Sequence, residues 1–339
     1  MKLLLDAIFI NNSGGKVLLE YLIDEIENSG LGIHFLLDNR VRDHFAHLPE
    51  SRTTFLPNSL KKRHNFYKKY KSELEYVLCF GNVPPTIKLK AKVDTYLHNS
   101  VLFYTGSEFE FKTAFSYKLK SWVVRYLKRN TDHWLVQTKF MEQGLQDHWG
   151  ISPSQIKRIP FFKPIAETLG KKERNKNQLY YISDGHPNKM HHQLIPAFIQ
   201  ASKDHPQMSL YLTISQQYPQ LIQQIEQAAA QGIKIKNLGW CDSTRLSEIY
   251  QTGGCLIFPS SLESFGLGLL EAAQYGMPVL ASDLPFVHEV IKPSATFNPY
   301  SVESISKAIR LSQEKELPEP KLIISNSVVN LLERFHLWN

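Results

Sequence analysis

Cysteine is scarce in this 339-residue sequence. Cys79, Cys241 and Cys255 stand far apart and form no redox or metal-ligand spacing, so reduced thiols in a cytosolic chain are the expectation. Long hydrophobic runs are missing too: none approaches the roughly 20 residues that span a bilayer. The opening stretch, residues 1–10, is broken by Asp6 and followed by Asn11-Asn12. It lacks a signal-peptide pattern and reads as a buried first strand. Internal repeats and low-complexity tracts are absent, which excludes solenoid and fibrous architectures. His186, His191 and His192 cluster, but no carboxylate or cysteine completes a zinc-ligand spacing, so no metal is expected.

The length favours two domains. The net charge of +7 is lopsided. Residues 1–162 hold 23 Lys/Arg against 16 Asp/Glu, a balance of +7, whereas residues 163–339 hold 16 against 16, a balance of zero. An anionic partner or surface for the first half follows. Two stretches carry the excess: Lys61-Lys-Arg-His-Asn-Phe-Tyr-Lys-Lys-Tyr-Lys71, and residues 111–129. In the second, Phe115, Leu119, Trp122 and Tyr126 recur at helical spacing beside Lys112, Lys118, Lys120, Arg125, Lys128 and Arg129, with no acidic residue between Glu110 and Asp132. Such a helix can lie on an anionic membrane, or it can pack its aromatics into a core. No nucleic-acid-binding motif accompanies the charge, so no nucleic acid partner is expected.

Apolar runs alternate with helical patterns along the second half, as in βαβ units. Strands are expected over 179–182, 210–214, 233–238 and 255–258, and helices over 191–203, 219–231, 243–251 (capped by Ser243) and 304–313. The first half offers strands at 3–10, 33–37, 76–80, 94–98 and 133–137. Domains are expected over 1–162 and 177–318, with a hinge at 163–176 and a C-terminal segment, 319–339, packing back on the first domain.

Chemistry concentrates in Glu263-Ser-Phe-Gly-Leu-Gly-Leu-Leu-Glu271, which follows the strand 255–258 and precedes a helix. Two carboxylates straddle a glycine turn where open α/β sheets bind ligands. The turn's amides suit a phosphate. The carboxylates suit sugar hydroxyls, which donate to them. Three further features are weaker alone: Gly14-Gly15 after the first strand, Lys189 in the loop after 179–182, and His98 at the end of a strand. Each has a bland alternative as a common turn, a surface lysine and a packed histidine.

Taken in order, Gly239-Trp240, Leu246-Ser-Glu-Ile-Tyr250, Phe258-Pro-Ser260, Glu263 to Glu271, Gly276-Met-Pro-Val279, Ala281-Ser-Asp283, Pro285 and Glu289 resemble the second domain of family 4 of the retaining glycosyltransferases, the glycosyl transferases group 1. The resemblance implies an α/β chain of GT-B architecture, two facing Rossmann-like domains with an interdomain cleft. It implies transfer of a sugar from a nucleoside-diphosphate sugar, with no metal or other cofactor, since the Asp-x-Asp pattern that holds a cation in other transferases is absent. Glu263 would contact the transferred sugar, Lys189 the diphosphate and Glu271 the ribose. Backbone amides at Ser264, Phe265 and Gly266, with Leu267, would hold sugar or diphosphate. Gly14 and Gly15 would lie near the phosphates and His98 near the sugar. Asp184 stands where many members have an arginine five residues before the lysine.

The expected acceptor is a glycan or polyprenyl-pyrophosphate-linked molecule in bacterial O-antigen or capsule synthesis. The expected location is the cytoplasm, peripheral on the inner face of the cytoplasmic membrane. A nucleotide-sugar epimerase on the same fold and a non-catalytic nucleotide-sugar-binding protein remain alternatives.

Overall fold

The computed structural model describes residues 1–104, 111–165 and 173–338. Most of the expected hinge, residues 166–172, and Glu110 lie outside the described residues. The chain divides into two compact units, Met1–Lys163 with Ser325–Asn339, and Pro164–Ile324.

The first unit is built on seven strands: β1 (Leu3–Ala7), β2 (Ile33–Asp38), β3 (Thr53–Leu56), β4 (Tyr76–Cys79), β5 (Lys92–Tyr96), β6 (His133–Val136) and β7 (Ile156–Arg158). They order as β3-β2-β1-β4-β5-β6-β7, every pairing parallel. Helices α1 (Ser13–Ser29), α2 (Leu60–Tyr70), α3 (Phe111–Leu127) and α4 (Lys139–Trp149) connect strands, and α11 (Val328–His336) returns to this unit from the end of the chain. A parallel sheet covered on both faces needs apolar strands, and all five residues of β1 are buried. Asp6, within β1, is the exception. Its carboxylate takes a hydrogen bond from Arg63 Nε at 2.7 Å and another from the Tyr67 hydroxyl. Arg63 is 1% exposed and also donates to the carbonyls of Val83 and Pro84 at 2.7 and 2.8 Å. One cation of the first basic stretch is therefore a core residue and no part of the surface charge.

The second unit repeats the plan in β8 (Asn175–Tyr181), α5 (His191–Ser202), β9 (Ser209–Leu212), α6 (Pro219–Ala230), β10 (Ile235–Asn237), α7 (Ser243–Thr252), β11 (Gly253–Phe258), α8 (Leu267–Gln274), β12 (Val279–Ser282), α9 (Pro285–Val290), β13 (Ile291–Lys292), β14 (Ala295–Phe297), α10 (Val302–Glu314) and β15 (Lys321–Leu322). Six strands form a parallel sheet, β10-β9-β8-β11-β12-β14, and β13 pairs antiparallel with β15 apart from it. The cap of α7 is Asp242, whose carboxylate accepts from the Arg245 amide at 2.8 Å, in place of the expected Ser243, which is the first helical residue. An Asp one residue earlier competes for the same amide and leaves Ser243 inside the turn.

In both sheets the order reverses next to the first strand, between β1 and β4 in one and between β8 and β11 in the other. Such a switch point leaves a crevice at the carboxyl ends of the two strands.

Candidate functional site

Lys189 and Glu263 come from the loops that leave the two switch-point strands of the second sheet. After β8 the chain runs to a short 3-10 turn, Pro187–Lys189, closed by Met190 in the left-handed region at φ 55°. After β11 it runs through Pro259 to Gly266. The two loops are laced together. The buried Asn188 donates from Nδ2 to the Leu262 carbonyl at 2.8 Å, and its own carbonyl accepts from the Ser261 amide at 2.8 Å. Tyr181, at the end of β8, donates its hydroxyl to the Lys189 carbonyl at 3.0 Å and lies 2.8 Å from Ser260 Oγ. Ser282 of β12 donates to the Ser260 carbonyl at 2.8 Å.

This lacing sets Lys189 Nζ 2.5 Å from Glu263 Oε1, with side chains 19% and 13% exposed. Burial by itself would lower the Lys189 pKa. Glu263 first, then Tyr181 and Asp184, outweigh it and raise the value, so the lysine keeps its charge. The carboxylate of Asp184 takes the His186 amide at 3.1 Å within its own loop. Among the described residues no group of three His, Cys, Asp or Glu side chains could hold a metal ion.

Gly266 adopts φ 79° and caps α8, a conformation that costs a side-chain-bearing residue more than glycine. The Leu269 and Leu270 amides pair with the Gly266 carbonyl at 2.9 and 3.4 Å, so the first-turn amides without an acceptor in the helix are those of Leu267 and Gly268. Phe265 is buried as a whole residue, at 2% exposure, and Ser264 is half-buried. Glu271 sits in the second turn of α8, half-buried, and accepts from the Tyr250 hydroxyl at 2.7 Å. Burial raises its pKa against the opposing pull of Tyr250. The two glutamates thus have separate partners, a lysine for one and a tyrosine for the other.

In the first unit, Gly14 and Gly15 lie in the first turn of α1. A Cβ on Gly15 would stand 3.1 Å from His98 Cε1, so the glycine turn abuts the histidine ring. β5 ends at Tyr96, two residues before His98. The His98 amide donates to Asn82 Oδ1 at 2.7 Å, and its Nε2 donates to the Phe80 carbonyl at 2.9 Å. Burial pushes its pKa down to about 4, which leaves it neutral near pH 7. Phe9 and Asn82 hold φ of 93° and 65° at this edge, and such strain concentrates at working sites.

The sequence pattern left Asn188, Tyr181 and Asn82 without a role, and named Ser260 only within a motif. Asn188 and the Tyr181–Ser260 pair join loops and strands more than 70 residues apart, and Asn82 reaches His98 on the neighbouring strand end. For Asn82, the preceding Gly81 was the available signal. A Cβ there would meet the Ile8 carbonyl oxygen at 2.3 Å.

The aromatic stripe of α3 faces outward. Phe115, Leu119, Trp122 and Tyr126 are 55–63% exposed, and Val124 and Leu127 on the other side are buried. Packing of the stripe into the core, the bland alternative, is thereby overturned. No helix among the described residues is long and apolar enough to cross a membrane.

Known proteins resemble this chain in sequence or in fold. The O-antigen chain mannosyltransferase RfbU of Salmonella typhimurium is 24% identical over 246 residues, covering 70% of this chain and 67% of that one. An uncharacterized 41.2 kDa protein in the cps region of Klebsiella pneumoniae is 34% identical over 73 residues, 22% of this chain; the match spans about a fifth of that protein's length. The crystal structure of Anabaena Alr3699/HepE in complex with UDP and glucose superposes with a TM-score of 0.64 at 14% identity, over 92% of this chain and 89% of that one. The chain has two Rossmann-like units of the GT-B α/β fold. Residues 165–327, which make up nearly all of the second unit, match the model of the family Glycosyl transferases group 1.

Proposed function

We propose that this chain is a glycosyltransferase that moves a sugar from a nucleoside-diphosphate sugar to a glycan acceptor in the synthesis of a bacterial surface polysaccharide. The observation that carries the reading is the Lys189–Glu263 pair at the switch point of the second sheet, beside the start of α8. RfbU, an O-antigen chain mannosyltransferase by name, and HepE, crystallised with UDP and glucose, support the donor class and the setting.

Breaking the bond between the anomeric carbon and the diphosphate leaves negative charge on the departing phosphate. Lys189 and the α8 amides stabilise that charge, the one by its ammonium and the others by the helix dipole. Glu263 accepts hydrogen bonds from the sugar and favours positive charge at the anomeric carbon. Glu271 accepts from the ribose diol. In the retaining route the acceptor oxygen attacks the face the phosphate leaves, and its proton passes to that phosphate. No metal step is needed, because the lysine and the amides supply the positive charge.

The acceptor is lipid-linked in this reading. The outward aromatic stripe of α3, bordered by Lys118, Lys120, Arg125 and Arg129, fits an anionic membrane surface, on which the chain is peripheral. Asp184, which adds negative charge beside Lys189, favours a second reading, a nucleotide-sugar-binding protein without turnover.

Thermal shifts with UDP, GDP and dTDP test the donor site, since a ligand at 100 times its Kd adds about 2.7 kcal/mol. A shift with one nucleotide that is lost in Lys189→Ala is expected. Incubation with the matching nucleotide-sugar and membranes from a polysaccharide-producing strain should then give transfer. Donor binding without transfer or hydrolysis favours the binding protein, and conversion of the donor to an epimer favours an epimerase.

A further inference from the structure

Tyr250 lies in the last turn of the short helix α7 and is 2% exposed. Its hydroxyl donates to Glu271 Oε2 at 2.7 Å, and its ring stacks on Tyr275 at 5.7 Å with 11° between the planes. The hydroxyl also stands 3.5 Å from where a Cβ on Gly268 would be, one helical turn before Glu271 on the same face of α8. The aromatic pair therefore fixes the phenol from behind, and the glycine leaves its path to the carboxylate open. A half-buried glutamate on a short helix has three side-chain torsions to settle. Holding one oxygen from α7 leaves the other with a defined direction.

We propose that Tyr250 is a positioning residue for the donor. It orients the Glu271 carboxylate so that Oε1 meets the ribose diol. This rests on the reading of Glu271 as the ribose acceptor. The titratable groups that face Glu271 are Tyr250 from α7 and, through the stacked ring, Tyr275 from the end of α8. Loss of the phenol removes the only one of them that holds the carboxyl down.

Calorimetric titration with UDP against 2′-deoxy-UDP, and GDP against 2′-deoxy-GDP, tests the idea in the full chain. The wild type is expected to prefer the ribose form. In Tyr250→Phe that preference should shrink about tenfold, as expected for a lost hydrogen bond to a charged group. The acid limit of binding should move to higher pH, and kcat at saturating donor should stay within about twofold while KM rises. Melting temperature reports whether the variant folds, and Tyr275→Phe, which keeps the stack, should behave as wild type. An unchanged ribose preference in a folded Tyr250→Phe, alongside its loss in Glu271→Gln, overturns the role of Tyr250 and leaves Glu271 in place. A preference untouched in Glu271→Gln as well, or absent from the wild type, overturns the assignment of Glu271 itself.

Discussion

The two sheets share one strand order through six strands, yet their switch points carry opposite chemistry. At the edge of the second sheet an ammonium and a carboxylate meet at 2.5 Å, with a second carboxylate on α8 nearby in the chain. At the edge of the first stand a neutral imidazole, an amide and two adjacent glycines. A topology does not dictate what its crevice binds. The charged edge suits an anionic, hydroxyl-rich ligand, and the neutral edge offers only single hydrogen bonds to uncharged groups. Surface charge runs the other way, with all the net excess in the first half. The buried ion pair and the net positive charge thus lie in different units.

The contrast breaks first at Lys189. Lys189→Ala should lower kcat by about 10²–10³, the usual cost of a lost group that stabilises the leaving charge. His98→Ala should cost far less, about tenfold, for its hydrogen bonds to neutral groups. Assays of both variants under one set of conditions rank the two edges, and equal losses would erase the distinction.

Acid gives the next effect. His98 and His191 are both held to about 4, below the free-histidine value near 6.5. Between those limits the unfolded chain binds more protons, so stability must fall as the pH drops from about 6.5 to about 4. Denaturant titrations at pH 7 and pH 5 check this, and His191→Gln should flatten the slope. Glu271 has the reverse sign. Its raised pKa makes the ionised form a cost to the fold above the unfolded value, and Glu271→Gln should raise the melting temperature. The same substitution should weaken nucleotide binding, a trade of stability for function. The smallest effect belongs to the outer surface. Trp122→Ala, or Lys118→Glu with Lys120→Glu, should reduce co-sedimentation with anionic liposomes and leave donor binding as it was. Sedimentation that ignores both changes would detach the stripe from any membrane role.

The alternation of strands and helices in the second half was readable because each buried strand is a short apolar run between polar helices. β3 and β7 escaped notice. They are edge strands, and Lys157 and Arg158 of β7 are exposed, so no apolar run marks them. Lys189 and Glu263 could be placed in their loops, but not facing each other. That pairing depends on Asn188 and Tyr181 crossing between strands 70 or more residues apart. The direction of the α3 stripe was equally hidden. Its opposite side carries Val124 and Leu127, and helical spacing tells which residues share a face without telling which face is buried.

The chain leaves the first unit after Lys163 and re-enters it at Ser325. Those two crossings touch: Asn326 donates from Nδ2 to the Phe162 carbonyl at 2.8 Å, and the Ser327 amide donates to the Pro160 carbonyl at 2.7 Å. The second unit is thus an insertion with both ends tied at one spot. For anyone grafting second units between relatives, residues 164–324 form a single cassette. Its two splice points share one junction, and Asn326 is the residue that a chimera has to keep.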